Sequence, residues 1–326
     1  MLVKATLGFL LAANLASFNG SLGFAGEDPV SKAEGLLRAG KKEEGKQLIA
    51  RYLTTQESAS AYEKVGTLYA RLRDWPDSVH YFEIASHRDG HNAKIFYKLG
   101  LAQHQNKQID DAVSSLRQSL VMSSTTQKTY LALGEILELS RDRYDARNIF
   151  LSALAKTGDA ASIRSKLCRL NFEDNFFSET IKQCTRAVSM NGADRDSWAL
   201  LARAYYLSQQ RPEAFKVFQK ALFAYPKNSL LYRVRGLIYY EEKAYEQAIN
   251  DLGKAFGLDP TDDEAAINLA RSYFQLGYYE RALPLFIEAC KVDRDYRFEF
   301  LSKQRELARK DRNDLADKYQ EALDKF

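Results

Sequence analysis

Between Ser229 and Asp262 the apolar residues fall into two stripes. Leu230, Leu231, Val234, Leu237 and Ile238 recur at helical spacing, and a polar break follows at Glu242-Lys243. Tyr245, Ala248, Ile249, Leu252, Ala255 and Phe256 then give a second stripe at i, i+3, i+4 and i+7. Asp259-Pro260 stops it, because proline disfavours helix in the residue before it. The pattern predicts a helical hairpin, with Gly236, Ala248 and Ala255 where the two helices approach closely.

The hairpin recurs along the chain at a constant interval, with no insertion. The small residue of the first helix returns as Gly66, Gly100, Gly134, Cys168, Ala202, Gly236 and Ala270, and the one opening the second as Ser78, Ala112, Ala146, Thr180, Ala214, Ala248 and Ala282. A large residue four later is Phe82, Leu116, Phe150, Cys184, Phe218, Leu252 or Phe286, and a further small one is Ala85, Ser119, Ala153, Ala187, Ala221, Ala255 or Ala289. Helices about 8–10 Å apart need small side chains at the crossing and large ones beside it. The repeats predicted are 59–92, 93–126, 127–160, 161–194, 195–228, 229–262 and 263–296. Thr261 and Glu264 read as a capping box for the last of them. Repeat 161–194 departs most, with Arg164, Asn171, Thr180 and Gly192 at positions its sisters fill differently. An atypical first repeat is expected over 26–58. Capping helices are expected over 297–326, with apolar stripes at Phe298, Leu301 and Leu307 and then Leu315, Tyr319, Ala322 and Leu323.

These phases resemble the tetratricopeptide repeat, a helix-turn-helix unit of about 34 residues. The resemblance covers almost the whole chain after residue 25. It implies an all-α superhelical solenoid with a C-terminal helical cap, about one superhelical turn long, whose first helices line a concave groove. It specifies function weakly, because function lives in the site and not in the fold.

Composition adds little that contradicts this. Apolar residues make up 45% and charged residues 28%, as in folded soluble proteins, while 19 Tyr, 18 Phe and 2 Trp suit helices packed through large side chains. Removing Lys4, the only charge in residues 1–25, from 47 basic and 43 acidic residues leaves a net of +3, too weak to argue for nucleic acid. The first residues read differently from the rest. Lys4 precedes an apolar run from Ala5 to Ala13, and Gly23-Phe24-Ala25 offers a small-x-small cleavage site. That is the shape of a secretory signal peptide, residues 1–25, cleaved near Ala25. The run is shorter than the ~20 apolar residues of a spanning helix, although a retained anchor stays open. The expectation is a periplasmic or secreted protein, soluble after cleavage and associated in one reading with a membrane complex.

No catalytic constellation stands out, so no enzyme is expected. No GxGxxG occurs, no GxxxxGK is followed by the Ser or Thr of a phosphate-binding loop, and His87 and His91 flank an inter-repeat turn without cysteine or acidic partners at ligand spacing, so neither cofactor nor metal nor small-molecule substrate is predicted. The resemblance directs attention instead to residues one and four past each small residue of a first helix, which should face the groove. In the C-terminal half these are Arg169 and Phe172, Arg203 and Tyr206, Leu237 and Tyr240, and Arg271 and Phe274; Arg233 fills in one turn earlier and Arg305 follows in the cap. Arginine offers planar forks for carboxylates and aromatics offer rigid contact area, so the ladder fits an extended, partly acidic peptide or protein segment. The same residues also fit a solvated face. The N-terminal half carries Thr67, Ala70, Leu101, His104, Glu135 and Glu138 at these phases and has no such ladder. No asparagine occupies the inner phase, so the lysine-and-asparagine clamp of chaperone-tail binders is not supported. Two other classes remain: a structural subunit of a membrane or secretion complex held by its convex or terminal faces, and an enzyme with an unrecognised site.

Cys168 and Cys184 take the small and large seam phases of repeat 161–194, at matching heights on either side of a turn near Asn175-Phe176. A disulfide is possible there in an oxidising compartment, and two buried free thiols are the other reading. Cys290 is expected to be a free, partly buried thiol. The N-terminal reading has a direct check. Edman sequencing of the protein recovered from its native source should begin near Gly26, and a cytosolic product beginning at Met1 contradicts it.

Overall fold

Eighteen α-helices and no strand make up residues 28–190 and 195–325, the residues that the computed structural model describes. The apolar N-terminal run and the Gly23-Phe24-Ala25 motif lie outside them. The helices are α1 Pro29–Arg38, α2 Lys42–Thr55, α3 Ala59–Leu72, α4 Trp75–Arg88, α5 Ala93–Gln105, α6 Ile109–Met122, α7 Gln127–Leu139 and α8 Arg143–Thr157 in one compact unit ending at Asp159. A second unit from Ala160 holds α9 Ala161–Glu173, α10 Phe177–Val188, α11 Arg195–Leu207, α12 Arg211–Ala224, α13 Ser229–Glu241, α14 Tyr245–Leu258, α15 Asp263–Gln275, α16 Tyr279–Val292, α17 Tyr296–Arg309 and α18 Asn313–Leu323. Within each unit the helices pair as antiparallel hairpins, and the hairpins stack. Among the described residues no helix is long and apolar enough to cross a membrane.

Each hairpin closes at one crossing. A Cβ added to Gly100 would lie 2.7 Å from Leu116 Cγ, one added to Gly236 would lie 2.7 Å from Leu252 Cγ, and one added to Gly66 would lie 2.9 Å from the Phe82 ring. Gly134 meets Phe150 in the same way. In repeat 161–194 the same two positions are joined covalently: Cys168 and Cys184 form a disulfide with their Cα atoms 5.1 Å apart, and both are fully buried.

The turn between first and second helix is also repeated. Arg73, Lys107, Arg141, Asn175, Gln209, Lys243, Gly277 and Asp311 all have positive φ, between 54° and 81°, one in each hairpin from α3–α4 to α17–α18. At each, two backbone bonds close the helix end. The Lys243 N–H donates to Tyr240 O and the Ala244 N–H to Tyr239 O, the paired bonds of a Schellman motif. Glycine fills this left-handed position at Gly277 and, in the α1–α2 hairpin, at Gly40; elsewhere the chain tolerates a side chain there because both carbonyls are satisfied.

Two sequence expectations are corrected, one in the cap and one at the start of α15. Phe300, not Phe298, faces inward: Phe300 is fully buried and Phe298 is 79% exposed. Phe300 and Leu307 stand two turns apart on α17 and point at α16 and α18, and residue 298 falls on the opposite side. Phe300 stacks on Phe286 with centroids 5.4 Å apart, and Tyr319 packs edge-on to Phe300 at 5.3 Å while its hydroxyl donates to Tyr279 O at 2.8 Å. The first turn of α15 is capped by Asp262, whose carboxylate accepts from the Ala265 N–H at 3.0 Å. Thr261 instead bonds Asp259 at 2.7 Å, since it lies one residue too early to reach the helix end. Cys290 is free and 1% exposed, more buried than expected, and burial pushes its thiol up to about 11.

The bridge has a chemical readout. Alkylation of denatured, unreduced protein should label Cys290 alone, and a linked 168–184 peptide should appear by mass spectrometry. Replacing the bridge with a neighbour's pair, Cys168→Gly with Cys184→Leu, should make stability insensitive to reductant, whereas the native chain loses on the order of 3 kcal/mol on reduction. Labelling of all three cysteines contradicts the bridge.

Candidate protein-binding groove

In the C-terminal unit, α9 packs on α11, α11 on α13, and α13 on α15, while α10, α12, α14 and α16 make no comparable contact with one another. First helices crowded on one side and second helices spread on the other give that side a concave face. The residues one and four past each small residue lie on the first helices of this face.

The arginines there are paired. Arg169 lies 3.5 Å from Asp196. Arg203 grips Glu241 through two N–H groups, one at 3.0 Å. Arg233 sits 3.1 Å from Asp262 and against Glu264. Arg271 donates to both oxygens of Glu299, its Nε at 2.7 Å, and to Asn268 at 2.9 Å; the Glu299 hydrogen bond holds its guanidinium above the ordinary value against its burial. Asp262 caps the next first helix, and the other partner carboxylates come from the next repeat or the cap, so the ladder ties first helix to first helix. The signal was available in the sequence: Asp196 and Glu264 are both second residues of their repeats. Arg305 is exposed on α17 and has no ion pair among the described residues.

The aromatics divide. Phe172, Tyr206 and Tyr240 are half-buried on the groove face. Phe172 meets Phe177 edge-on at 5.9 Å and Tyr240 meets Tyr245 at 5.7 Å, while the Arg203 guanidinium lies 5.4 Å from the Tyr206 centroid. Burial, and for Tyr206 the neighbouring Glu241 and Glu242, pushes both tyrosine hydroxyls up, so they remain proton donors. Phe274 is the exception and a correction. It is only 2% exposed, packed against Tyr279, Phe286 and Tyr319, with Lys303 Nζ 4.7 Å above its ring. The cap covers the last groove position, so Phe274 belongs to the core.

The N-terminal unit has ion pairs in a related register with reversed sign. Glu63 pairs with Lys94 at 3.1 Å and with Lys98 at 2.8 Å, and Lys98 also donates to Thr67 at 2.9 Å. Burial pushes the Glu63 carboxyl up, but the bonds from the two lysines outweigh it and hold it below the usual range. A pair that the sequence reading missed lies beside the Gly236–Leu252 crossing. Arg235 donates to Asp251 at 2.5 and 2.8 Å, and Asp251 is 1% exposed. Removing one partner of such a pair leaves a buried charge. Among the described residues no cluster of His, Cys, Asp and Glu can hold a metal ion.

Family models of the tetratricopeptide repeat match residues 64–125, 200–263 and 239–297. Residues 64–125 and 200–297 thus carry the tetratricopeptide repeat. Among solved structures it is similar to the C-terminal part of a TPR repeat-containing protein from Cytophaga hutchinsonii, at 13% identity and a TM-score of 0.55, over 70% of this chain and 94% of that one. Among curated proteins it is 23% identical to Superkiller complex protein 3 of Mus musculus over 73% of this chain and 16% of that protein. It is 24% identical to the peroxisomal targeting signal receptor of Kluyveromyces lactis, over 65% of this chain and 38% of the receptor. It is 22% identical to Hsp70-Hsp90 organizing protein 1 of Glycine max, over 62% of this chain and 34% of that protein. The chain thus spans well under two thirds of the length of these curated relatives.

Proposed function

We propose that the chain is an exported protein-interaction scaffold that holds an extended, partly acidic segment of another protein in the groove of its C-terminal unit, within an envelope assembly. The observation that carries the reading is the side-by-side stacking of α9, α11, α13 and α15, with arginine and half-buried aromatics at recurring positions on the inner face. By their names, the relatives are a targeting-signal receptor, a chaperone organiser and a member of a complex, which supports protein binding as the shared use of the fold. Acidic side chains on the segment would exchange with Glu241 on Arg203. Exposed ion pairs are worth about 0–1 kcal/mol, so the exchange costs little. Export rests on Lys4, the apolar run and Gly23-Phe24-Ala25.

A second reading, a subunit bound through its second helices and cap, is favoured by Phe223 and Phe298, which are 90% and 79% exposed. One experiment separates the two. A photo-crosslinking residue at position 206 should capture a protein in the native envelope fraction. The swap Arg203→Glu with Glu241→Arg keeps the pair but reverses its polarity, so it should leave the melting temperature unchanged and abolish that capture. Capture that survives the swap but is lost in Phe223→Ser overturns the groove and supports the second reading.

A further inference from the structure

On the reading that the groove binds, we propose that its occupant is a polyproline II segment that sets one apolar residue, proline foremost, against Phe172, Tyr206 and Tyr240 in turn, at every third position. The three rings hold the same position in consecutive repeats, on first helices that pack directly against one another. Packed helices lie about 8–10 Å apart. A polyproline II chain rises about 3.1 Å per residue with three residues per turn, so every third side chain returns to one face after about 9 Å. A β-strand covers that distance in about three residues too, but its side chains alternate, and the third falls on the far face.

The polar groups of the groove decide between this and a helix. Arg203 commits two of its N–H groups to Glu241, and Tyr206 and Tyr240 retain their hydroxyl protons. The groove floor therefore offers surplus donors. A helical ligand has its carbonyls engaged by its own backbone, whereas a polyproline II chain has none of its carbonyls bonded internally and can accept from each. Because the groove arginines other than Arg305 are each paired with a neighbouring carboxylate, an acidic side chain gains Arg203 only by displacing Glu241, and the register is set by the rings and donors. The run is short. Phe274, the fourth position, is covered by the cap beneath Lys303, so the ladder has three rungs and reads positions i, i+3 and i+6 of the segment.

Fluorescence polarisation of labelled peptides on the full chain tests this. The probes are Pro-Ser-Glu-Pro-Ser-Glu-Pro, a peptide of the same composition with proline at positions 1, 3 and 5, and a stapled helix with leucine at positions 1, 8 and 15. The first should bind at least tenfold tighter than the other two. Tyr206→Ala and Tyr240→Ala should each weaken it about tenfold with circular dichroism unchanged, and Tyr278→Ala, outside the groove, should not. Equal affinities, tighter binding of the helix, or no binding by the first peptide each overturn the proposal. If crosslinks at position 206 persist and respond to the charge swap while the register preference is absent, the register fails and the groove stands.

Discussion

One contact recurs through the molecule, that between a first-helix residue and the residue sixteen places later on the second helix. Gly66 with Phe82, Gly100 with Leu116, Gly134 with Phe150 and Gly236 with Leu252 leave no room for a methyl group between them. Ala202 with Phe218 and Ala270 with Phe286 share buried clusters at the same positions. The crossing sets the spacing within a hairpin, and so sets the surface on which the next first helix docks. In repeat 161–194 neither glycine or alanine nor a large apolar residue is present, and a disulfide makes the crossing instead. Four of the five arginines on the groove then fasten one hairpin to the next. The buried Arg235–Asp251 pair locks the repeat in which it lies.

The hairpins were legible because close packing restricts residue size at fixed positions, and a size restriction survives as a periodic pattern. Helix starts at Ala59, Ala93, Gln127, Ala161, Ser229 and Asp263 follow from it. The same phase arithmetic put Cys168 and Cys184 at one crossing but left a bridge and two free thiols both open, and the structure joins them. Electrostatic partners were less legible. Arg203 and Arg271 reach carboxylates 38 and 28 residues away, offsets that differ because a long side chain can take any acid within its radius. Phe274 carries the same phase as Tyr206 and Tyr240, and only the cap folded above it makes it core. Phe298 and Phe300 flank Glu299 symmetrically in sequence, and the start of α17 decides which one turns inward.

The inter-repeat ion pairs change what the groove can recognise. An arginine row read alone suggests a positive channel. With Asp196, Glu241, Glu264 and Glu299 in place, the same row is a set of dipolar clasps that tie each first helix to the next. The N-terminal unit uses the reversed pairing, with Glu63 as the acid and Lys94 and Lys98 as the bases. The two units thus use one architectural device with opposite sign, and aromatic groove positions distinguish the C-terminal one.

The sixteen-residue crossing is a direct, mutually exclusive fit. A double-mutant cycle on Gly100 and Leu116, read by urea unfolding, tests it most directly. A methyl at position 100 would lie 2.7 Å from Leu116 Cγ and 3.1 Å from the Ala112 carbonyl. Gly100→Ala alone should therefore destabilise the chain by about 1–2 kcal/mol, overpacking outweighing the better helix propensity of alanine. In a Leu116→Ala background the same change should cost nothing or stabilise slightly. Additive costs, within the ~0.5 kcal/mol typical of independent sites, would contradict the crossing as the organising contact.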